Sequence, residues 1–131
     1  RSANAFGVRR VIFIGRRQWN KRGAMMTDKY LHVEYISTTA EFINKMRDEN
    51  RTIIAVDNID GSQNLSTIKL PKHAVMVFGQ EGPGISAELA TTADMIVAIE
   101  QFGSTRSINV GSAAAVAMYV WLEQNVLNVL K

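Results

Sequence analysis

The stretch Ala74–Phe78 is apolar at all five positions and runs without interruption into Gly79-Gln80-Glu81-Gly82-Pro83-Gly84. A strand with no polar alternation must be covered on both faces, as strands are in the interior of a parallel sheet. Three glycines in six residues then turn the chain sharply away from that strand, because glycine adopts left-handed backbone angles at no steric cost. Parallel neighbours cannot be joined by tight hairpins, so the rest of the chain is expected to supply further strands separated by helices.

The remaining pattern agrees with that expectation. Val8–Gly15 is an apolar run closed by glycine, Leu31–Ile36 a second strand, and Thr52–Asp57 a third. Thr38 or Thr39 is placed to cap a helix running to about Asn50, with Phe42, Ile43 and Met46 on one face. Residues 16–30 and 58–66 read as loop and turn. A short helix is expected from Ser86, a strand over Met95–Ile99, and a last helix from Ser107 to about Leu130. The whole reads as one α/β domain with a parallel sheet covered on both sides.

Composition narrows the functional classes. The chain has 131 residues, no cysteine and two histidines, so a disulfide framework and a thiolate metal site are excluded and no metal is expected. A reducing, cytoplasmic setting is expected, with no apolar run of about 18 residues to span a membrane. The first residue is Arg rather than Met, so a processed, truncated or partial product is expected. Seven of the fifteen basic residues lie within the first 22, where there is no acid at all. That asymmetry suits a polyanion, with Arg9, Arg16, Arg17 and Arg22 as candidate phosphate contacts, although a solvated surface would look the same. Trp19 could stack on a base beside them.

Ligands of parallel α/β sheets bind beyond the carboxyl ends of strands. Gly79–Gly84 is one candidate loop there. It lacks the Lys-Ser/Thr of a Walker loop and the spacing of a dinucleotide fingerprint, so a plain strand-to-helix turn remains open. Ile99–Asn109 is another; it ends in Ser107-Ile108-Asn109, which could be no more than a helix cap. The helix behind it starts with Gly111, Ser112 and three alanines, which would let another backbone approach closely. The third is Arg1–Gly7, read as the end of a helix stopped by Gly7.

In this order and spacing the three stretches resemble the SpoU/TrmH branch of the SPOUT superfamily of RNA ribose 2′-O-methyltransferases. Arg1–Gly7 looks like the end of its first motif, with Arg1, Ala3, Phe6 and Gly7 at the matching places. Phe78–Gly84 resembles the second, Gly-x-Glu-Gly-x-Gly, and Ser107–Ala113 the third, Ser-Ile-Asn-Val-x-x-Ala. The resemblance implies a parallel-sheet α/β knot with a deep trefoil knot near the carboxyl end. It also implies a homodimer, S-adenosylmethionine as cofactor, and tRNA or rRNA as partner. Under it, Gly79, Ile99 and Ile108 hold the adenosine part of the cofactor, and Gly82 and Gly84 shape the same pocket. Arg1, Glu81, Ser107 and Asn109 take the catalytic positions, Arg1 assisting removal of the ribose hydroxyl proton.

Arginine is an awkward base, with a pKa above about 12, and serves better by holding the target phosphate and stabilising a developing alkoxide. Two departures stand out. The motif's upstream Asn would precede residue 1, along with the first strand and most of the first helix. Where the third motif usually opens Ile-Pro-Met, this chain has Ile99-Glu100-Gln101. The competing expectation is a non-catalytic RNA-binding relative; an ordinary nucleotide enzyme would need a phosphate loop after the first strand, which Gly15-Arg16-Arg17 does not supply. Finally, Val116, Met118, Tyr119, Trp121, Leu122, Val126, Leu127, Val129 and Leu130 cover most of the last helix's circumference. More than one side therefore wants burial, and a second protomer would cover what the sheet does not.

Overall fold

The structure is a computed structural model that describes residues 7–8, 10–15, 32–80, 83–103 and 109–130. These fall into two compact units, Arg1–Lys45 and Met46–Lys131.

In the first unit, β1 (Arg10–Ile14) and β2 (His32–Ile36) pair in parallel, Arg10 opposite His32 and Ile14 opposite Ile36. Phe13 and Tyr35 stack across the pair with ring centroids 5.6 Å apart. Among the described residues of this unit, Glu34 gathers three basic side chains. It accepts Arg10 Nε at 2.7 Å and Arg10 Nη2 at 3.0 Å, and both Lys45 Nζ and His32 Nε2 lie 3.0 Å from its oxygens. The bidentate Arg10 bond, reinforced by Lys45, lowers the Glu34 pKa to about 2. Arg10, half-buried, is thereby tied to the neighbouring strand.

Helix α1 (Thr39–Asp48) starts where the sequence places a cap: Thr38 Oγ1 accepts the Glu41 N–H at 3.2 Å. Its apolar positions Phe42, Ile43 and Met46 are buried. It ends on Asn50 at φ 57°, with Arg51 N–H bonded to Met46 O and Asn50 N–H to Arg47 O. This is the paired-bond stop in which a left-handed residue satisfies the last carbonyls, and Asn tolerates that conformation better than most side chains.

Among the described residues, the second unit has four parallel strands in the order β4-β6-β3-β5. They are β3 (Thr52–Val56), β4 (Gln63–Asn64), β5 (Ala74–Phe78) and β6 (Met95–Ala98), with helix α2 (Ala87–Thr92) between the last two. β3 is central and Ile53, Ile54 and Ala55 are fully buried, as a strand covered on both faces requires. β6, the last strand in sequence, lies between β3 and β4. Its apolar side chains suit that interior place, whereas Gln63 and Asn64 are exposed and suit an edge. β4 corrects the expectation of plain turn over 58–66. Two polar residues carry no periodicity, and only the Leu65 N–H to Ala98 O bond and the pairing to β6 make them a strand.

Helix α3 (Val110–Leu122) packs Ala117, Val120 and Trp121 against Ile54, Val56, Leu65, Leu70 and Val97. It begins three residues later than Ser107, capped by Asn109, whose side chain accepts the Ser112 N–H at 3.2 Å. It is not a uniform helix either. Glu123–Leu127 widens into π-type turns before α4 (Asn128–Leu130). Within that wide stretch, two successive amide side chains reach one loop. Gln124 accepts the Leu70 N–H at 2.7 Å and donates to Ile68 O, while Asn125 donates to Leu70 O. Trp121 Nε1 adds a bond to Pro71 O. At the amino end of the sheet, Asp94 accepts the Ile53 N–H and Arg47 Nη1, and its pKa is lowered chiefly by Arg47. His73 bonds Glu49 O there, a structural contact.

Candidate functional site

Register decides what the carboxyl edge of the sheet displays. Val56 stands level with Phe78 on one side and Val97 on the other, and Asn64 stands level with Ala98. Because all four strands run the same way, Asp57, Leu65–Ser66, Gly79–Gly84 and Ile99–Gly103 leave the sheet along one edge.

The glycine loop is folded back on itself. Gln80 N–H donates to Gly84 O at 3.2 Å and Gly84 N–H to Gln80 O at 2.9 Å. A β-carbon on Gly79 would lie 2.0 Å from the Gly84 carbonyl carbon and 2.2 Å from Ile85 N. Gly84 has φ 75°, and a β-carbon there would meet Asp57 Oδ2 at 2.5 Å. The missing side chains therefore let the two ends of the loop close upon each other. Ser86 follows as the cap of α2, accepting the Leu89 N–H.

Sequence reasoning missed Asp57. Its Oδ1 accepts the Asn58 N–H at 2.8 Å and its Oδ2 the Ile85 N–H at 3.1 Å. The available signal was an acid closing a strand that is otherwise buried and apolar. Glu100, the departure from Ile-Pro-Met, also has a partner. It accepts both the Ser66 hydroxyl and, at 3.3 Å, the Ser66 N–H, tying the exit of β6 to the exit of β4. Those bonds, the hydroxyl's first, hold its carboxyl below the usual range.

Of the expected site residues, Gly79, Gly84 and Ile99 come together on this edge, with Ile99 half-buried against the core. Asn109 stands at the start of α3 as its cap. Arg1, Glu81, Gly82, Ser107 and Ile108 lie outside the described residues, as do Arg9, Arg16, Arg17, Arg22 and Trp19. Among the described residues there is no group of three His, Cys, Asp or Glu suited to a metal. None of the described helices is long and apolar enough to cross a membrane.

The described part of the glycine loop carries no lysine, and Ile99 lends the edge an apolar side chain packed against the core. A parallel sheet with helices between its strands and a closed glycine loop at its carboxyl edge defines the class as a parallel-sheet α/β protein. The family is then specific: residues 1–119 match the SpoU rRNA Methylase family, and the chain belongs to it.

Relatives and structures agree. The chain is 29% identical over 108 residues to a tRNA (guanosine(18)-2′-O)-methyltransferase of Saccharomyces cerevisiae, an alignment covering 80% of this chain and 8% of that protein. It is 30% identical over 105 residues to the 23S rRNA (guanosine-2′-O-)-methyltransferase RlmB of Neisseria meningitidis, covering 80% of this chain and 40% of that protein. The chain thus spans less than half of either relative. The fold matches the A. aeolicus TrmH/SpoU tRNA modifying enzyme with a TM-score of 0.87 at 22% identity, over 98% of this chain and 68% of that one. It matches an AdoMet-bound rRNA methyltransferase from Sinorhizobium meliloti with a TM-score of 0.87 at 24% identity, over 96% and 50%.

Proposed function

We propose that the chain is a catalytic domain that transfers the methyl group of S-adenosylmethionine to a ribose 2′-hydroxyl of tRNA or rRNA, in the cytoplasm. The observation that carries this reading is the placement of Gly79, Gly84 and Ile99, three described members of two family motifs, on the carboxyl edge of one parallel sheet. The relatives' names, all 2′-O-methyltransferases of tRNA or rRNA guanosine, supply the substrate class.

In this reading the cofactor supplies an electrophilic methyl group and the protein supplies placement. The backbone of Gly79, Gly84 and Ile99 receives the adenosine part, with Gly82 and Ile108 completing the pocket. Arg1 holds the target phosphate and stabilises the negative charge developing on the ribose oxygen, whose proton passes to solvent as the methyl group is received. Glu81, Ser107 and Asn109 line the reacting side, and Asn109 is pre-positioned by its role as helix cap. Arg9, Arg16, Arg17 and Arg22 contact RNA phosphates.

The proposal extends to topology and assembly. Insertion of β6 between β3 and β4 supports a chain threaded into the family's trefoil knot. The exposed apolar residues Val116, Tyr119, Val129 and Leu130 near the carboxyl end support a homodimer. Incubating the protein with methyl-labelled S-adenosylmethionine and total RNA, then mapping labelled nucleotides, tests the function. Label on a ribose 2′-oxygen is expected, and label confined to a base, or none at all, refutes it.

A further inference from the structure

We propose that Asp57 is a positioning residue for the cofactor. Its carboxylate holds the glycine loop in ligand-ready shape without itself binding the ligand. The inference rests on reading this edge as the S-adenosylmethionine site.

The loop is held at three points. Its entrance is fixed where Phe78 pairs with Val56, and its waist where Gln80 and Gly84 exchange backbone bonds. Its exit is fixed at Ile85, whose N–H is taken by Asp57 Oδ2 at 3.1 Å. The first two holds are made by backbone alone. Asp57 is the side chain of the set, and its carboxylate is itself oriented by the Asn58 N–H on the other oxygen. Asp57 is half-buried at the end of a buried strand, and its two acceptor bonds use both carboxylate oxygens.

Asp57 also accounts for the last glycine of the motif. The carboxylate occupies the space that a β-carbon on Gly84 would need, at 2.5 Å. Gly84 therefore answers two demands at once, a left-handed φ and room for Asp57. Gly79 packs against Gly84 in turn, so the carboxylate, Gly84 and Gly79 form one continuous stack. Loosening the first member frees the strand-exit backbone that the ligand is read to touch.

The test combines binding and exchange on the intact chain. By calorimetry with S-adenosylmethionine, at a temperature where circular dichroism shows every variant folded, D57A is expected to weaken affinity by about tenfold, the scale of removing one hydrogen bond. D57N keeps an acceptor oxygen for Ile85 and is expected to stay within about threefold of wild type. In the free protein, hydrogen exchange at Ile85 and Gly84 should quicken in D57A and far less in D57N. Unchanged affinity or unchanged exchange in D57A overturns the proposal. So does D57N binding as weakly as D57A, since the charge would then matter and not the geometry. Wild-type protein that does not bind S-adenosylmethionine defeats the reading of the edge, and this inference with it, whereas equal binding by wild type and D57A defeats this inference alone.

Discussion

Gly79 and Gly84 lie back to back, so close that a methyl group on Gly79 would sit 2.0 Å from the Gly84 carbonyl carbon. No rotamer change relieves that clash, because both partners are backbone. G79A is therefore expected to spring the Gln80–Gly84 closure. Overpacking of this kind costs about 1–3 kcal/mol. Urea unfolding should show that loss, and calorimetry should show S-adenosylmethionine affinity falling with it, further still when Ile108 is enlarged as well. Affinity unchanged in the double variant would place the cofactor elsewhere.

The Glu34 cluster makes acid sensitivity calculable in sign. Its folded pKa is about 2 against an ordinary value of 4.5, because Arg10 and Lys45 favour the charged form. The stabilisation is fully present above about pH 4.5 and is lost as pH falls towards 2. E34Q should thus be less stable than wild type at pH 6, with the gap closing through the acid range. Urea midpoints at several pH values check this, and a gap that does not vary with pH would contradict the assignment.

Arg16, Arg17 and Arg22 are expected to bind RNA phosphates without reading sequence. Converting all three to Ala should flatten the log–log salt dependence of binding, by about 0.7–0.9 units for each phosphate no longer neutralised. Filter binding across a salt series measures that slope directly. An unaltered slope would leave these residues as a solvated surface.

The last helix carries Val116 and Tyr119 at 43% and 46% exposure, one turn apart on the same face. If a second protomer covers them, introducing charge there should split the dimer. Light scattering at low micromolar concentration is expected to report a dimer for the wild type and a monomer for V116E/Y119E. A wild-type protein that is an active monomer would refute the assembly.

Most of the architecture was legible because burial writes itself into composition. Thr52–Val56, Ala74–Phe78 and Met95–Ala98 are apolar along their length since both faces are covered, and each appears as a strand where the pattern places it. Thr38 and Ser86 announce helix starts through local bonds to residues three positions on, which need no distant partner. Those features depend on neighbours in the chain, so the sequence alone determined them, along with the motifs of the family.

Tertiary structure decided the rest, because it depends on partners far apart in the chain. Gln63–Asn64 became a strand only because β6 arrived beside it, and two polar residues hold no periodic trace of that event. The π turns at Glu123–Leu127 answer to Leu70 and Ile68, more than fifty residues away. Glu100 looked like a defect in a motif until Ser66 supplied its partner, and Asp57 looked like a strand-ending acid until the glycine loop folded onto it. Local bonding and burial are encoded at the residue that feels them. A bond across the fold is encoded at two distant residues, and neither shows it until the chain has closed.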